Sequence, residues 1–302
     1  MKRTAFLAQL TPAAKFLWFL LTLILFSMLF ALLGLLIGKI WYHVNISTLS
    51  SMFSHPEKAA TRPFLYVYQV INQIGVFVLP PLLFAWLVHT RSGEYLRMNQ
   101  RPNIYSLILG ALLVYTLLPF INWLTDLNAM VSLPDSLSGL QQWMKAKEMQ
   151  ADEITGVFLS VKSMGGLGLN LLIVALIPAI GEELLFRGVI QRLLGEWTKN
   201  MHWGIILTAI LFSAMHMQFY GFLPRFILGM TLGYLFFISG NLWLAIFVHF
   251  VNNASSVIIF YLHYNGFIAV KMEHFGAIHN PIGIVGSLLV SILILVLIAK
   301  KE

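Results

Sequence analysis

The sequence has no cysteine and very little charge. Without a thiol there can be no disulfide framework, no thiolate nucleophile and no thiolate metal site, and the redox compartment stays unassigned. Only 10% of the 302 residues are charged, 59% are hydrophobic and the mean hydropathy is +0.82. Soluble domains carry about 25% charged residues, so this balance excludes a water-soluble fold. The net charge is +7, but the basic residues are scattered through tails and loops, with no compact patch interleaved with aromatics. No nucleic-acid partner is expected. No fixed-period repeat or low-complexity tract is visible.

What the chain does have is long apolar runs. A helix needs about 20 apolar residues to cross about 30 Å of hydrocarbon. Runs of suitable length lie at 14–40, 63–88, 104–124, 167–194, 203–219, 222–238, 242–262 and 281–299. The expected fold is all-α, a polytopic transmembrane bundle of about eight spans. It forms a single membrane domain over 1–302, with core helices at 167–262. The first run is as long as a full span and has no small-residue cleavage site, so it should remain in the mature protein. Trp18, Trp41, Trp86, Trp123, Trp197, Trp203 and Trp243 fall toward span ends, where interfacial anchors belong. Pro80 and Pro81 should kink the second span. Gly229 and Gly233 favour close helix packing inside the bundle.

Cytoplasmic termini would place Lys2, Arg3, Lys15, Arg91, Arg97, Arg101, Arg192, Lys199, Lys300 and Lys301 on the cytoplasmic side. Lys39, Lys58, Arg62, Lys145, Lys147, Lys162, Arg225 and Lys271 would lie outside. The excess is small but has the sense of the positive-inside rule, and the cell membrane is the expected location. The longest connection, 126–166, carries Leu137, Leu140, Trp143, Met144 and Lys147 at helical spacing, with acids at Asp135, Glu148, Asp152 and Glu153. It reads as an amphipathic helix lying on the membrane, either guarding an entrance or simply solvated.

Ionised groups in hydrocarbon cost at least about 2.5 kcal/mol at a helix centre, so those that occur usually serve a function. Of the twelve acids, only Glu182 and Glu183 fall within a span interior. Glu183 and Arg187 share a helical face at i, i+4 and can form an ion pair. Glu182 points about 100° away and is left for chemistry as a general base. Pro178 and Gly181 should loosen the helix beside the acids, as is tolerated where backbone lines a wet cavity. A buried charge cluster that only ties helices together would use the same three residues. His216 and His249 are the histidines expected within spans. His249 shares a face with Asn253, while Asn252 is turned away. An imidazole and a carboxamide side by side can hold an oxyanion, or supply a metal ligand and its orienting partner.

The order Glu182-Glu183-x-x-x-Arg187, then Phe212-x-x-x-His216, then His249-x-x-x-Asn253, each on a successive apolar stretch, resembles the three motifs of the CPBP family. That family comprises CAAX-processing and bacteriocin-processing proteases, among them the Ras-converting CAAX endopeptidase. The resemblance covers about 171–253. It implies an intramembrane endopeptidase with a cavity open to the cytosolic side or to the bilayer. Glu182 would act as general base, and His216 would hold or polarise the water. His249 and Asn253 would stabilise the oxyanion, supported by Glu183, Arg187 and Phe212. It also implies either a zinc ion on Glu182, His216 and His249, with water in the fourth position, or a metal-free attack by the same residues. The implied partners are membrane lipid and a peptide or protein substrate, lipidated or not. Two other classes compete: a proton-coupled transporter, against which no inverted repeat of broken helices is seen, and a catalytically silent scaffold or immunity protein of the same family.

Overall fold

The computed structural model describes residues 5–43 and 62–302. Lys2, Arg3 and Lys58 of the charge assignment lie outside the described residues. All regular structure within them is helical. We number α1 Pro12–Tyr42, α2 Arg62–Val88, α3 Ile104–Ala129, α4 Ser138–Leu159 and α5 Met164–Thr198. These are followed by α6 Met201–Met215, α7 Phe222–Ser239, α8 Leu242–Tyr264 and α9 Pro281–Ala299.

Among the described residues, seven helical stretches are long and apolar enough to cross a membrane: α1, α2, α3, α5, α7 with its preceding turn, α8 and α9. α6 is an eighth, shorter apolar helix of 15 residues, about 22 Å long at 1.5 Å per residue. It ends at Met215 rather than running on to 219, because Met217 adopts a left-handed backbone (φ 54°) that breaks the helical ladder. His216 therefore caps α6 instead of lying inside a span, a correction to the sequence expectation. Lipid exposure is clearest on α1, whose 31 residues bury only Phe19, Gly34 and Gly38. All seven tryptophans named as interfacial anchors are exposed.

Two of the three backbone widenings among the described residues lie just ahead of a proline. α2 contains a π-helical turn at Gln73–Val78, directly before Pro80 and Pro81, and α5 contains one at Leu171–Leu176, directly before Pro178. A proline cannot donate to the carbonyl four residues back, and a wide turn re-bonds the chain around that gap. A third π-turn in α5, Leu184–Ile190, has no proline and carries Arg187.

Two faces can be defined from the connections. On one, Leu7 N donates to Leu87 O (3.0 Å), Leu242 N donates to Arg97 O (3.0 Å), the Phe16 and Trp197 rings meet, and Lys301 lies over Tyr105. Both ends of the described chain lie there. On the other face α4 is tied down. Tyr66 Oη donates to Phe158 O, Tyr220 N to Glu148 Oε2, and Trp143 packs on Phe219. The expected amphipathic helix is thus α4, tied to α2 and to the turn before α7.

Gly229 and Gly233 pack internally, as expected. A Cβ at Gly229 would meet Ala209 and Phe212 at 3.2 Å, so only glycine lets α7 approach α6 this closely.

Candidate active site

The acids sit where α5 crosses the bundle. Glu183 and Arg187 are fully buried, and Arg187 Nη1 donates to Glu183 Oε1 at 2.5 Å. Close packing of α7 exposes a carbonyl to the same guanidinium: Arg187 Nη2 donates to Gly229 O at 2.9 Å. The Arg187 guanidinium also stacks over Phe212, 4.9 Å from the ring centre. Phe212 touches His216 and His249 edge-on as well, with centroids 5.1 and 5.9 Å away. One aromatic ring thus spaces the arginine and both imidazoles.

His249, 3% exposed, directs Nδ1 at Glu183 Oε1 (2.8 Å), and its Nε2 lies 3.9 Å from Glu182 Oε2. Against a carboxylate the donor is Nδ1–H, which leaves Nε2 as the functional nitrogen. Glu183 is therefore shared: it pairs with Arg187 and also fixes the His249 ring. The sequence showed the first role, since it is local in spacing, but not the second, which spans 66 positions. His216 is fixed in the same way, its Nδ1 lying 2.8 Å from Phe212 O, so that Nε2 is again the available nitrogen.

Glu182, His216, His249 and Asn253 all line one cavity of about 440 Å³. α5, α6 and α8 bring these four motif residues together. Asn252 lines the cavity as well, contrary to the expectation that it turns away; its Nδ2 donates to Asn253 Oδ1 (3.2 Å), leaving Asn253 Nδ2 for other partners. Sequence reasoning also missed Gln69 and Gln73 on α2 and Arg225 on α7, all of them cavity walls. The two glutamines, uncharged but polar in an apolar span, were the available signal.

Among the described residues, no three histidine or carboxylate side chains are gathered closely enough to hold a metal ion. Glu182, His216 and His249 have suitable chemistry, with both Nδ1 atoms already oriented from behind. As arranged they are not gathered into a ligand set for zinc.

Residues 165–255 match the family described as Type II CAAX prenyl endopeptidase Rce1-like. No curated protein and no solved structure matches the chain. The matched stretch contains all seven motif residues from Glu182 to Asn253. The family it resembles is one of endopeptidases, and the matched stretch runs through α5, α6 and α7 into α8.

Proposed function

We propose, from the chain's Rce1-like domain at residues 165–255, that it is an intramembrane endopeptidase cleaving a peptide or membrane-anchored protein chain with water activated by Glu182. The observation that carries this reading is the convergence of Glu182, His216, His249 and Asn253, from three helices, on one cavity. Residues serving only local packing have no reason to meet around a shared polar space.

The chemistry follows from where the free atoms point. Glu182 Oε2 and His249 Nε2 are 3.9 Å apart, too far for a direct hydrogen bond and suited to sharing a water. Glu182 takes one proton of that water as its oxygen attacks the scissile carbonyl carbon. Asn253 Nδ2–H donates to the oxygen of the tetrahedral intermediate, where charge develops. Glu182 then returns the proton to the departing amine nitrogen as the C–N bond breaks. His216 Nε2 helps hold the water, while Glu183, Arg187 and Phe212 keep the imidazole of His249 in place.

Glu182→Gln keeps volume and hydrogen-bonding capacity but removes the base. In a quenched-peptide assay on detergent-purified protein it should lose activity by at least about 10²-fold, with an unchanged thermal transition. Wild-type turnover by Glu182→Gln would sink the assignment.

A further inference from the structure

The face that carries both ends of the described chain has a cavity of its own, separate from the one that holds Glu182. It measures about 270 Å³ and lies between the end of α5, the start of α6 and the end of α7, beside the loop that follows α2. Two cations line it, Arg97 from the loop and Arg192 from α5, and Met201, Phe236 and Phe237 give it apolar walls. Both arginines are held by structure that serves no step of the cleavage. Arg192 stacks over the buried ring of Tyr95, 4.1 Å from its centre, and its Nη1 is buried with no hydrogen-bond partner among the described residues. Arg97 is fixed through its backbone, which adopts a left-handed φ of 56° that is costly for a residue with a side chain. Three bonds to the turn between α7 and α8 hold its loop there: Leu242 N donates to Arg97 O (3.0 Å), Trp243 Nε1 to Met98 O (3.1 Å) and Asn241 Nδ2 to Gln100 O (3.2 Å).

Among the described residues no carboxylate lies within 4.0 Å of either guanidinium. Glu94 pairs with Arg91 instead, and Glu196, one turn on from Arg192, is exposed. Two cations without a counter-charge and a buried donor left over make a site for an anion. Its depth says which anion. Met201 and Gly240 in the wall are followed within three residues by Trp203 and Trp243, both exposed as interfacial anchors are. Phe237, 46% exposed, adds apolar surface to the same cavity. Phosphate headgroups lie at the level of such tryptophans, and basic pockets between transmembrane helices hold them. A zwitterionic headgroup would bring a cation of its own to two arginines, so the fit is to a lipid of net negative charge.

We propose that this cavity binds the phosphate of an anionic phospholipid between Arg97 and Arg192, with the acyl chains laid along Phe237. The site shares a framework with the candidate active centre. Gln191 in its wall donates from Nε2 to Gly233 O at 3.1 Å, one helical turn beyond the bond from Arg187 to Gly229 O. A lipid clamped there joins the helix ends that those two bonds already tie together, and its binding does not depend on the peptidase reading.

Full-length protein in a non-ionic detergent is titrated with a fluorescent short-chain phosphatidylglycerol, and unlabelled competitors are then added. Phosphatidylglycerol should displace the probe, while phosphatidylcholine of the same chains and inorganic phosphate at equal concentration should not. A hydrogen bond to a charged group is worth about 1.5–3 kcal/mol, so Arg97→Gln and Arg192→Gln should each weaken binding at least about tenfold. Arg97 is exposed, so Arg97→Gln should keep the wild-type thermal transition without lipid even if Arg192→Gln, which loses its stack on Tyr95, does not fold. Lys271→Gln removes an equal charge from the turn between α8 and α9 and should bind as wild type does. Undiminished binding by Arg97→Gln, an equal loss in Lys271→Gln, or equal competition by phosphatidylcholine overturns the proposal. Equal competition by inorganic phosphate also overturns it, since the site would then take the free ion. Glu182→Gln should bind the lipid normally whether or not it cleaves peptide.

Discussion

At the residue scale the centre of the site is an ion pair with a second duty. Burying Glu183 and Arg187 costs desolvation that their mutual attraction repays only with good geometry and extra hydrogen bonds. Here the Gly229 carbonyl, the Phe212 face and the His249 ring supply them. Arg187→Ala or Glu183→Gln strands one buried charge and should lower stability by about 3–5 kcal/mol, read as a lowered thermal midpoint in detergent. The double variant Glu183→Leu/Arg187→Leu strands none and should recover much of that loss. It should still cleave poorly, because His249 Nδ1 has lost the acceptor that orients it. Recovered stability with recovered turnover would reduce Glu183 to a structural partner. The three motif segments were legible because each is local: Glu183 to Arg187 and His249 to Asn253 are single helical turns. The Glu183 to His249 bond was not, since it depends on how α8 packs against α5.

At the scale of elements, the sequence located every span through its apolar length and misjudged where α6 stops. Hydropathy continues through Met217 and Phe219, while the backbone turns at Met217; apolar content does not encode that turn. α4 was legible as amphipathic, yet several of the contacts that tie it down are polar. Asp152 accepts from Gln218 Nε2 (3.2 Å), and Gln218 Oε1 accepts from Arg225 Nη2 (2.5 Å). Partial burial raises the Asp152 pKa above the ordinary carboxylate value; Glu273 adds to this, while Arg225 and the Gln218 hydrogen bond work against it. A carboxyl raised in the folded state costs stability when ionised, so the penalty is absent below the unfolded-state pKa and develops as pH rises through the folded one. Asp152→Asn, which can still accept from Gln218, should therefore have a higher thermal midpoint than wild type at pH 7 and an equal one near pH 3. A difference that persists or grows in acid would refute this.

At the scale of the whole molecule, the matched stretch supplies the four converging side chains but only part of their enclosure. Gln69 and Gln73 come from α2, Thr155 and Leu159 from α4, and Met272 from the turn after α8, all outside residues 165–255. A cavity of about 440 Å³ is the size of a small-molecule pocket. It admits a short extended stretch of peptide and no folded domain. The flanks of any longer substrate must then pass the mouth, between α4 and the Met272 turn. α4 rests there on a few polar ties, one of them Tyr220 N to Glu148 Oε2 at 3.1 Å, and buries only Phe158 and Leu159. Elements with so little buried apolar surface open at low cost, whereas α5 and α8 are locked into the core. Cysteines at positions 148 and 220 joined by a short bis-maleimide should hold α4 down. Cleavage of a long, chain-embedded substrate should then fall sharply, while a peptide of a few residues loses less. If both substrates were cleaved at the uncrosslinked rate, α4 would be a fixed wall and the chain would have to enter between the helices from the lipid.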